Sequence, residues 1–126
     1  MGNMLSHKEL FVWQKSMDLV IKIYNLTKTF PEEERYGLSS QMRRAVVAIP
    51  TNIAEGYQRR YIKEYIQFLY IAKGSASELE TQLIIAERLD FASLSSIEIK
   101  ELLLEILRML STLIKKLRSK SQTLTP

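Results

Sequence analysis

Apolar positions recur at spacings of three and four residues in four segments of the chain, which is the period of an amphipathic helix. These segments cover 10–29, about 38–59, a third from 61 to the connection at 90–96, and a fourth from about 96. Phe30-Pro31 ends the first segment, because the residue before a proline is pushed out of the helical region. The pattern predicts an all-α chain folded as an up-down-up-down antiparallel four-helix bundle.

Three of the segments carry a distinct apolar stripe that we expect to face the core. The stripe of the first segment consists of Trp13, Met17, Val20, Ile21 and Tyr24. The third carries a heptad-like seam of Ile62, Tyr65, Leu69, Ala72, Ala76, Leu79, Leu83 and Ala86, and the fourth carries Ile99, Leu103, Ile106, Leu110, Leu113 and Leu117. Seams of this kind predict antiparallel packing at a shallow angle.

The second segment contains a proline inside an otherwise helical pattern. Its core stripe is Leu38, Met42, Val46, Ile49 and Ile53, and the apolar phase continues across Pro50. Because a proline removes one backbone hydrogen bond and clashes with the preceding turn, we predict one helix kinked at Pro50. Val47, Pro50 and Ala54 widen its apolar region beyond one stripe, which predicts a second covered surface, supplied by another subunit.

Polar residues on the second and third helices form a separate pattern. Asn52 lies on a narrow polar arc of the second helix, and Glu78 has apolar residues one heptad before and after it. We predict a buried or half-buried polar layer made of Arg44, Asn52, Glu55, Glu78 and Gln82. A structural network is favoured over a ligand site, because buried polar layers can fix the register of helices.

Length and composition set the domain organisation. With 126 residues, of which 46% are hydrophobic, the chain is long enough for one domain. We assign 1–9 to a flexible leader, 10–118 to the bundle and 119–126 to a flexible tail. There is no secretory signal and no run of about 20 apolar residues, so a cytoplasmic protein without a membrane partner is expected.

The residue types argue against an enzyme. Cysteine is absent and His7 is the only histidine, which excludes a histidine triad, a thiolate metal site and the Glu-x-x-His pairs of di-iron bundles. The sequence also lacks a glycine-rich phosphate loop. We therefore expect no catalytic residues, no metal and no cofactor.

Basic residues cluster in three places and make RNA or DNA candidate ligands. The net charge of +4 permits an acidic partner without requiring one. Tyr57 and Tyr61 flank the second cluster, where they are placed to stack on unpaired bases. The candidate nucleic-acid-binding residues are Arg43, Arg44, Arg59, Arg60, Lys63, Lys115, Lys116, Arg118 and Lys120. A simpler alternative for the last four is that they complement the dipole of the final helix.

Several segments resemble one known family along nearly the whole chain. They are Val12-Trp13-Gln14-Lys15, Phe30-Pro31, residues 34–38, 39–45, 49–57 and 78–83, and Gly74-Ser75. These resemble the four-helix bundle protein family of bacterial 23S rRNA intervening sequences, whose relatives include accessory proteins of diversity-generating retroelements. The resemblance implies a bundle that assembles into a homopentamer and has a link to RNA.

Two functional hypotheses follow from the residues and the resemblance together. The first is a non-enzymatic, oligomeric accessory protein that binds nucleic acid through its basic patches. The second is a protein–protein interaction scaffold that does not bind nucleic acid and holds a protein partner on the apolar surface left by the ring.

Overall fold

Four α-helices make up the fold, as the sequence pattern predicts. They are α1 (Phe11–Thr27), α2 (Leu38–Tyr57), α3 (Ile62–Arg88) and α4 (Ser96–Leu124). Short 3-10 helices at His7–Glu9 and Glu32–Glu34 precede α1 and α2. The computed structural model describes residues 6–92 and 96–124, and these ranges contain no strand.

The helices pack as a square, with each helix next to its neighbours in the sequence and α1 also next to α4. Two ion pairs show the direction of α1 and α4: Lys15 pairs with Glu105 at 3.1 Å, and Lys22 pairs with Glu98 at 3.4 Å. Rising residue numbers on α1 thus meet falling numbers on α4, so the two helices are antiparallel. The predicted up-down-up-down four-helix bundle is confirmed.

The predicted stripes of α2, α3 and α4 form most of the core. Their buried members are Met42, Val46, Ile49 and Ile53 of α2, Leu69, Ala72, Ala76, Leu79, Leu83 and Ala86 of α3, and Ile99, Leu103, Ile106, Leu110 and Leu117 of α4. Leu38, Ile62, Tyr65 and Leu113 are partly buried at its margin. The three-and-four spacing therefore identified the inward faces of these three helices.

The predicted core stripe of α1 lies at the margin of the core, where its Trp13, Val20 and Tyr24 are partly buried. The face that α1 buries consists of Val12, Ser16, Leu19, Ile23, Leu26 and Thr27. Met17 and Ile21 of the predicted stripe are 40% and 60% exposed. Ser16 interrupts the apolar pattern of this buried face in the sequence. It can be buried because its hydroxyl donates to the Val12 carbonyl oxygen at 2.6 Å, within the helix. Helix α1 thus has a second apolar face, which its own bundle covers only in part.

Helix α2 runs through Pro50 without interruption. Pro50 has no amide proton for the Val46 carbonyl, and the next two residues bond back to the preceding turn. Thr51 Oγ1 donates to the Val47 carbonyl and Asn52 Nδ2 donates to the Ala48 carbonyl, both at 2.7 Å. The ring and this back-bonding both favour a bend here, and no loop divides the helix.

Helical structure extends beyond both predicted ends of the bundle, residues 10 and 118. Residues 6–9, which belong to the predicted flexible leader, include a 3-10 helix whose His7 ring lies 5.2 Å from the Trp13 ring and 6.5 Å from the Tyr57 ring. Helix α4 continues to Leu124, past the predicted start of the tail at 119. The remainder of the leader, 1–5, and the last two residues of the tail lie outside the described residues.

Candidate nucleic-acid interface

Two of the predicted basic clusters lie at the same end of the bundle. Tyr70 is eight residues into α3, about 12 Å from its start, and its hydroxyl accepts a 3.1 Å hydrogen bond from Arg118 Nη1. Helix α4 ends six residues after Arg118, about 9 Å further along its axis. The start of α3 and the end of α4 are therefore roughly level. We call this region the basic end, with the cations Arg59, Arg60, Lys63, Lys115, Lys116, Arg118 and Lys120.

The charge of the bundle is distributed unevenly between its two ends. Neither 59–63 nor 106–124 contains an aspartate or glutamate. The basic end also holds Glu55, paired with Arg59, and Glu64 in the first turn of α3, whereas Glu32–Glu34, Glu87, Asp90 and Glu98 lie at the opposite end. The net charge of the chain is only +4, but its basic residues are concentrated at one end, and this end can attract a polyanion.

The cluster at the α2–α3 junction is partly engaged within the chain. Arg59 lies 3.7 Å from a Glu55 carboxylate oxygen and 4.6 Å from the centre of the Phe68 ring. Arg60 lies 5.6 Å from the centre of the Tyr61 ring, and Lys63 forms no ion pair within the described residues. Arg60 and Lys63 are accordingly the cations of this cluster that are most open to a phosphate.

Of the two tyrosines predicted to stack on bases, only Tyr61 is exposed, at 59%. Tyr57 is half-buried, with its ring edge-on to Tyr65 at 6.0 Å and to His7. Burial, with a smaller contribution from Tyr57, raises the pKa of Tyr65 to about 12. Tyr57 therefore belongs to an aromatic cluster that joins the leader, α2 and α3.

The C-terminal cluster forms one wall of a cleft between α3 and α4. This α3–α4 cleft has a volume of about 400 Å³ and is lined by Tyr70, Lys73, Ser111, Ile114, Lys115, Arg118, Ser119 and Gln122. Its lining contains three cations and no carboxylate, and none of the three forms an ion pair within the described part of the chain. Lys116 and Lys120, on the same helix, do not line it.

Lys73 and Tyr70 are the residues of this cleft that the sequence reasoning missed. They are three residues apart on α3 and so share a face, which was the available signal. The spacing alone does not predict a binding site, because no basic run surrounds Lys73 in the sequence. Only the packing of α4 beside α3 brings Lys73 next to further cations.

The first basic cluster lies away from the basic end, and its Arg43 is already engaged. Arg43 Nε donates to Thr27 Oγ1 at 2.8 Å, and Nη2 donates to the Tyr24 carbonyl at 3.4 Å. The guanidinium also covers the Tyr24 ring at 4.6 Å. Arg43 therefore holds the last turn of α1 to α2. Arg44 is exposed, and no ion pair in the described ranges involves it.

The predicted polar layer is not closed within one chain. Arg44, Glu55 and Glu78 are exposed, and the Asn52 amide is taken up by its own helix. Among the five residues only Gln82 is buried; its Nε2 lies 3.5 Å from a Glu78 oxygen, at the limit of a hydrogen bond. Gln82 Oε1 is buried without a hydrogen-bond partner.

The failure of the layer has a geometric reason. Glu78 and the apolar residues one heptad before and after it, Ile71 and Ile85, are all exposed, so this face of α3 is not covered within one chain. No hydrogen bond or ion pair in the described part of the chain links the α2 members to Glu78 or Gln82.

Neither a metal site nor a membrane-spanning helix is found within the described residues. The described residues hold no group of three or more histidine, cysteine, aspartate or glutamate side chains arranged to bind a metal ion. In the same ranges, no helix combines the length and the apolar character that crossing a membrane takes.

Comparison with known proteins places the chain in a family. The family model described as 23S rRNA-intervening sequence protein matches residues 8–112. The chain is also similar to a crystal structure, at 1.70 Å resolution, of a protein of unknown function from the S23 ribosomal protein family of Bacteroides thetaiotaomicron VPI-5482. That match has a TM-score of 0.76 and 30% identity, and it covers 82% of this chain and 95% of the other. No curated protein matches. The chain belongs to the family of 23S rRNA-intervening sequence proteins.

Proposed function

We propose that the protein is a non-enzymatic, homo-oligomeric accessory protein of the cytoplasm that binds RNA through its basic end. The observation that carries the proposal is the convergence of the α2–α3 junction and the C-terminal part of α4 at one end that has no carboxylates in 59–63 or 106–124. The family's name refers to intervening sequences of 23S rRNA, and this supports RNA over DNA as the ligand.

Binding would work by phosphate neutralisation. Each lysine or arginine that contacts a phosphate releases a condensed counterion, and this release favours association in a salt-dependent way. Lys115, Lys116 and Arg118 have no carboxylate partner to give up in the described structure, so contacting phosphates breaks no ion pair. Exposed Tyr61 beside Arg60 adds a surface on which an unpaired base can stack.

Assembly of several subunits would multiply this patch. An open groove of about 610 Å³ runs between α1 and α2, lined by His7, Trp13, Met17, Val20, Val47, Pro50, Thr51, Ala54, Glu55 and Gln58. It contains Trp13, Met17 and Val20 of α1 and the residues that widen the apolar region of α2. We infer that a second copy of the chain covers this α1–α2 groove, and the resemblance to the family favours a ring of five. A ring presents the basic end once per subunit, which raises avidity without any new contact.

The first test is direct binding by the full-length chain at low salt. We expect binding to single-stranded RNA and structured RNA, and weaker binding to duplex DNA, measured by fluorescence anisotropy with labelled oligonucleotides. Light scattering on the same samples gives the mass of the assembly. Failure to bind all three ligands, by a protein that is folded and oligomeric, would remove the proposed function.

That outcome would favour the alternative, a protein–protein interaction scaffold. A specific observation supports it, because isoleucine and leucine side chains are also exposed outside the α1–α2 groove. They include Ile71, Ile84 and Ile85 of α3 and Ile97 and Leu104 of α4. Exposed apolar residues in such numbers can form a docking surface for a protein partner.

A further inference from the structure

We propose that the α3–α4 cleft binds one unpaired nucleotide per subunit, with its base stacked on Tyr70 and its phosphate held by Lys73 and Lys115. This inference rests on the proposed function and assigns a specific site and ligand class to it. A volume of about 400 Å³ falls in the range of about 300–1,000 Å³ that small-ligand sites occupy, so a nucleotide is an appropriate size.

The position of Tyr70 is the first reason for a base. Its hydroxyl accepts the 3.1 Å hydrogen bond from Arg118 Nη1, which ties the ring to α4, while 44% of the residue is exposed. A tyrosine that is held at its hydroxyl loses little conformational freedom when a ligand stacks on it. Every base has a π-face, so such a ring accepts bases with little sequence preference.

The charges of the cleft are the second reason. Lys73 on α3 and Lys115 on α4 line it from its two walls, and Arg118 keeps further donors on its guanidinium besides the one given to Tyr70. Because no carboxylate lines the cleft, an anion is the ligand that these cations favour. The cations alone would suit an acidic peptide equally well, and the exposed tyrosine ring beside them is what favours a nucleotide.

The remaining lining residues fit the polar edge of a nucleotide. Ser111 offers a hydroxyl and Gln122 offers an amide, which can donate to and accept from a base edge or a ribose hydroxyl. A base that is paired within a duplex is not available for stacking on Tyr70. The cleft should therefore distinguish unpaired strands from duplexes, whereas phosphate contacts at the rest of the basic end should not.

The test replaces Tyr70 with alanine and follows affinity for a single-stranded RNA and for a duplex RNA. For Tyr70→Ala we expect the single-strand Kd to rise about 10-fold or more, because stacking one base on an aromatic side chain contributes roughly that factor. The duplex Kd and the salt dependence should stay unchanged, since no charge is removed. Tyr70→Phe, which keeps the ring, should stay within about 3-fold of the wild type.

Tyr36→Ala is the matched control, because Tyr36 is an exposed tyrosine beside an arginine at the opposite end of the bundle. If Tyr70→Ala behaves like Tyr36→Ala while the wild type binds RNA, the nucleotide site is wrong and the proposed function stands. If the wild type binds no RNA, both are wrong. Displacement of the RNA by an acidic peptide at equal concentration would assign the cleft to a protein and also overturn the inference.

A second variant covers the case in which Tyr70→Ala fails to fold. Lys73→Gln removes one cation from the cleft and leaves the ring and Arg118 in place. It should weaken single-strand binding and reduce the slope of log Kd against log salt by about 0.7. An unchanged slope and affinity would exclude Lys73, and with it the cleft, from the binding site.

Discussion

Gly56 of α2 lies so close to Phe68 of α3 that a Cβ atom on the glycine would stand 2.7 Å from the Phe68 Cβ. The same atom would be 2.9 Å from Tyr65 Cδ1 and 3.2 Å from the Tyr65 carbonyl oxygen, which is backbone and cannot rotate away. The glycine therefore allows α2 and α3 to touch just before the junction at 58–61. This contact fixes where Arg59, Arg60 and Lys63 stand relative to the bundle.

Gly56→Ala should destabilise the protein by about 1–3 kcal/mol, the usual cost of overpacking. Gly74 offers a matched control in the middle of α3, since a Cβ there meets no atom within 4 Å. Gly74→Ala should leave stability unchanged or raise it by up to about 1 kcal/mol, because alanine is the better helix former. Urea unfolding followed by circular dichroism measures both. Equal stability of the two variants would mean that the close approach at Gly56 is not a constraint.

The bundle could be predicted because helix periodicity reports the direction in which each side chain points. It gave the core faces of three helices and the passage of α2 through Pro50. It was only partly right on α1, where Ser16 interrupts the buried stripe and the predicted stripe lies at the margin of the core, with Met17 and Ile21 exposed. Spacing within one helix cannot say which of two apolar faces meets the bundle and which is left for another surface.

Asp90 lies two residues after the end of α3 and has a positive φ of 60°. It is the one residue other than glycine with a positive φ in the described chain. The Phe91 amide donates to the Ala86 carbonyl at 2.8 Å, which closes the helix end around this left-handed residue. Asp90→Gly should stabilise the protein by about 0.5–1 kcal/mol, since glycine adopts this conformation without a steric penalty. Asp90→Ala should stabilise it less or destabilise it, and a thermal melt in which alanine matches glycine would contradict the explanation.

Stability at high pH should depend on Tyr65. Its pKa is raised to about 12 in the folded chain by burial, against an ordinary value of about 10 when the chain is unfolded. Between these values the folded state holds a proton that the unfolded state has released, so stability is full below pH 10 and falls as the pH rises towards 12. Tyr65→Phe should flatten this part of the profile, whereas Tyr36→Phe, at an exposed tyrosine, should not. Parallel profiles for wild type and Tyr65→Phe would rule the explanation out.

The α1–α2 groove should contain the subunit interface. Val47→Asp puts a charge on the groove at a residue that is 39% exposed in a single chain, so folding of the subunit should survive while assembly is lost. Leu104→Asp on α4, at a residue 43% exposed, is the control and should leave the mass unchanged. Light scattering across a concentration series gives the masses. Loss of assembly in Leu104→Asp but not in Val47→Asp would place the interface on the opposite side of the bundle.

The candidate site was less predictable than the fold, because it depends on the register between helices. The sequence located the cations of the basic end, but only the packing of α4 on α3 brings Arg118 to Tyr70 and adds Lys73 to the cleft. The packing of α2 on α1 removes Arg43 from the site by placing it against Thr27. Glu78, which periodicity placed in a buried layer, is exposed.

RNA binding through the basic end is the central claim, and the salt dependence of the affinity tests it most directly. The measurement compares the wild type with a variant carrying Lys115→Gln, Lys116→Gln and Arg118→Gln, and with a control carrying Lys28→Gln, Arg35→Gln and Arg88→Gln. Both variants lose three positive charges, and the control loses them at the opposite end of the bundle.

We expect the log Kd of single-stranded RNA to rise steeply with log salt for the wild type and for the control. For the Lys115, Lys116 and Arg118 variant the slope should be flatter by about 2 per bound subunit, because each lost phosphate contact removes about 0.7 of a counterion from the release. Light scattering should give the same mass for all three proteins. Equal slopes for the two variants would contradict binding through the basic end, since they would show that only the net charge of the protein matters.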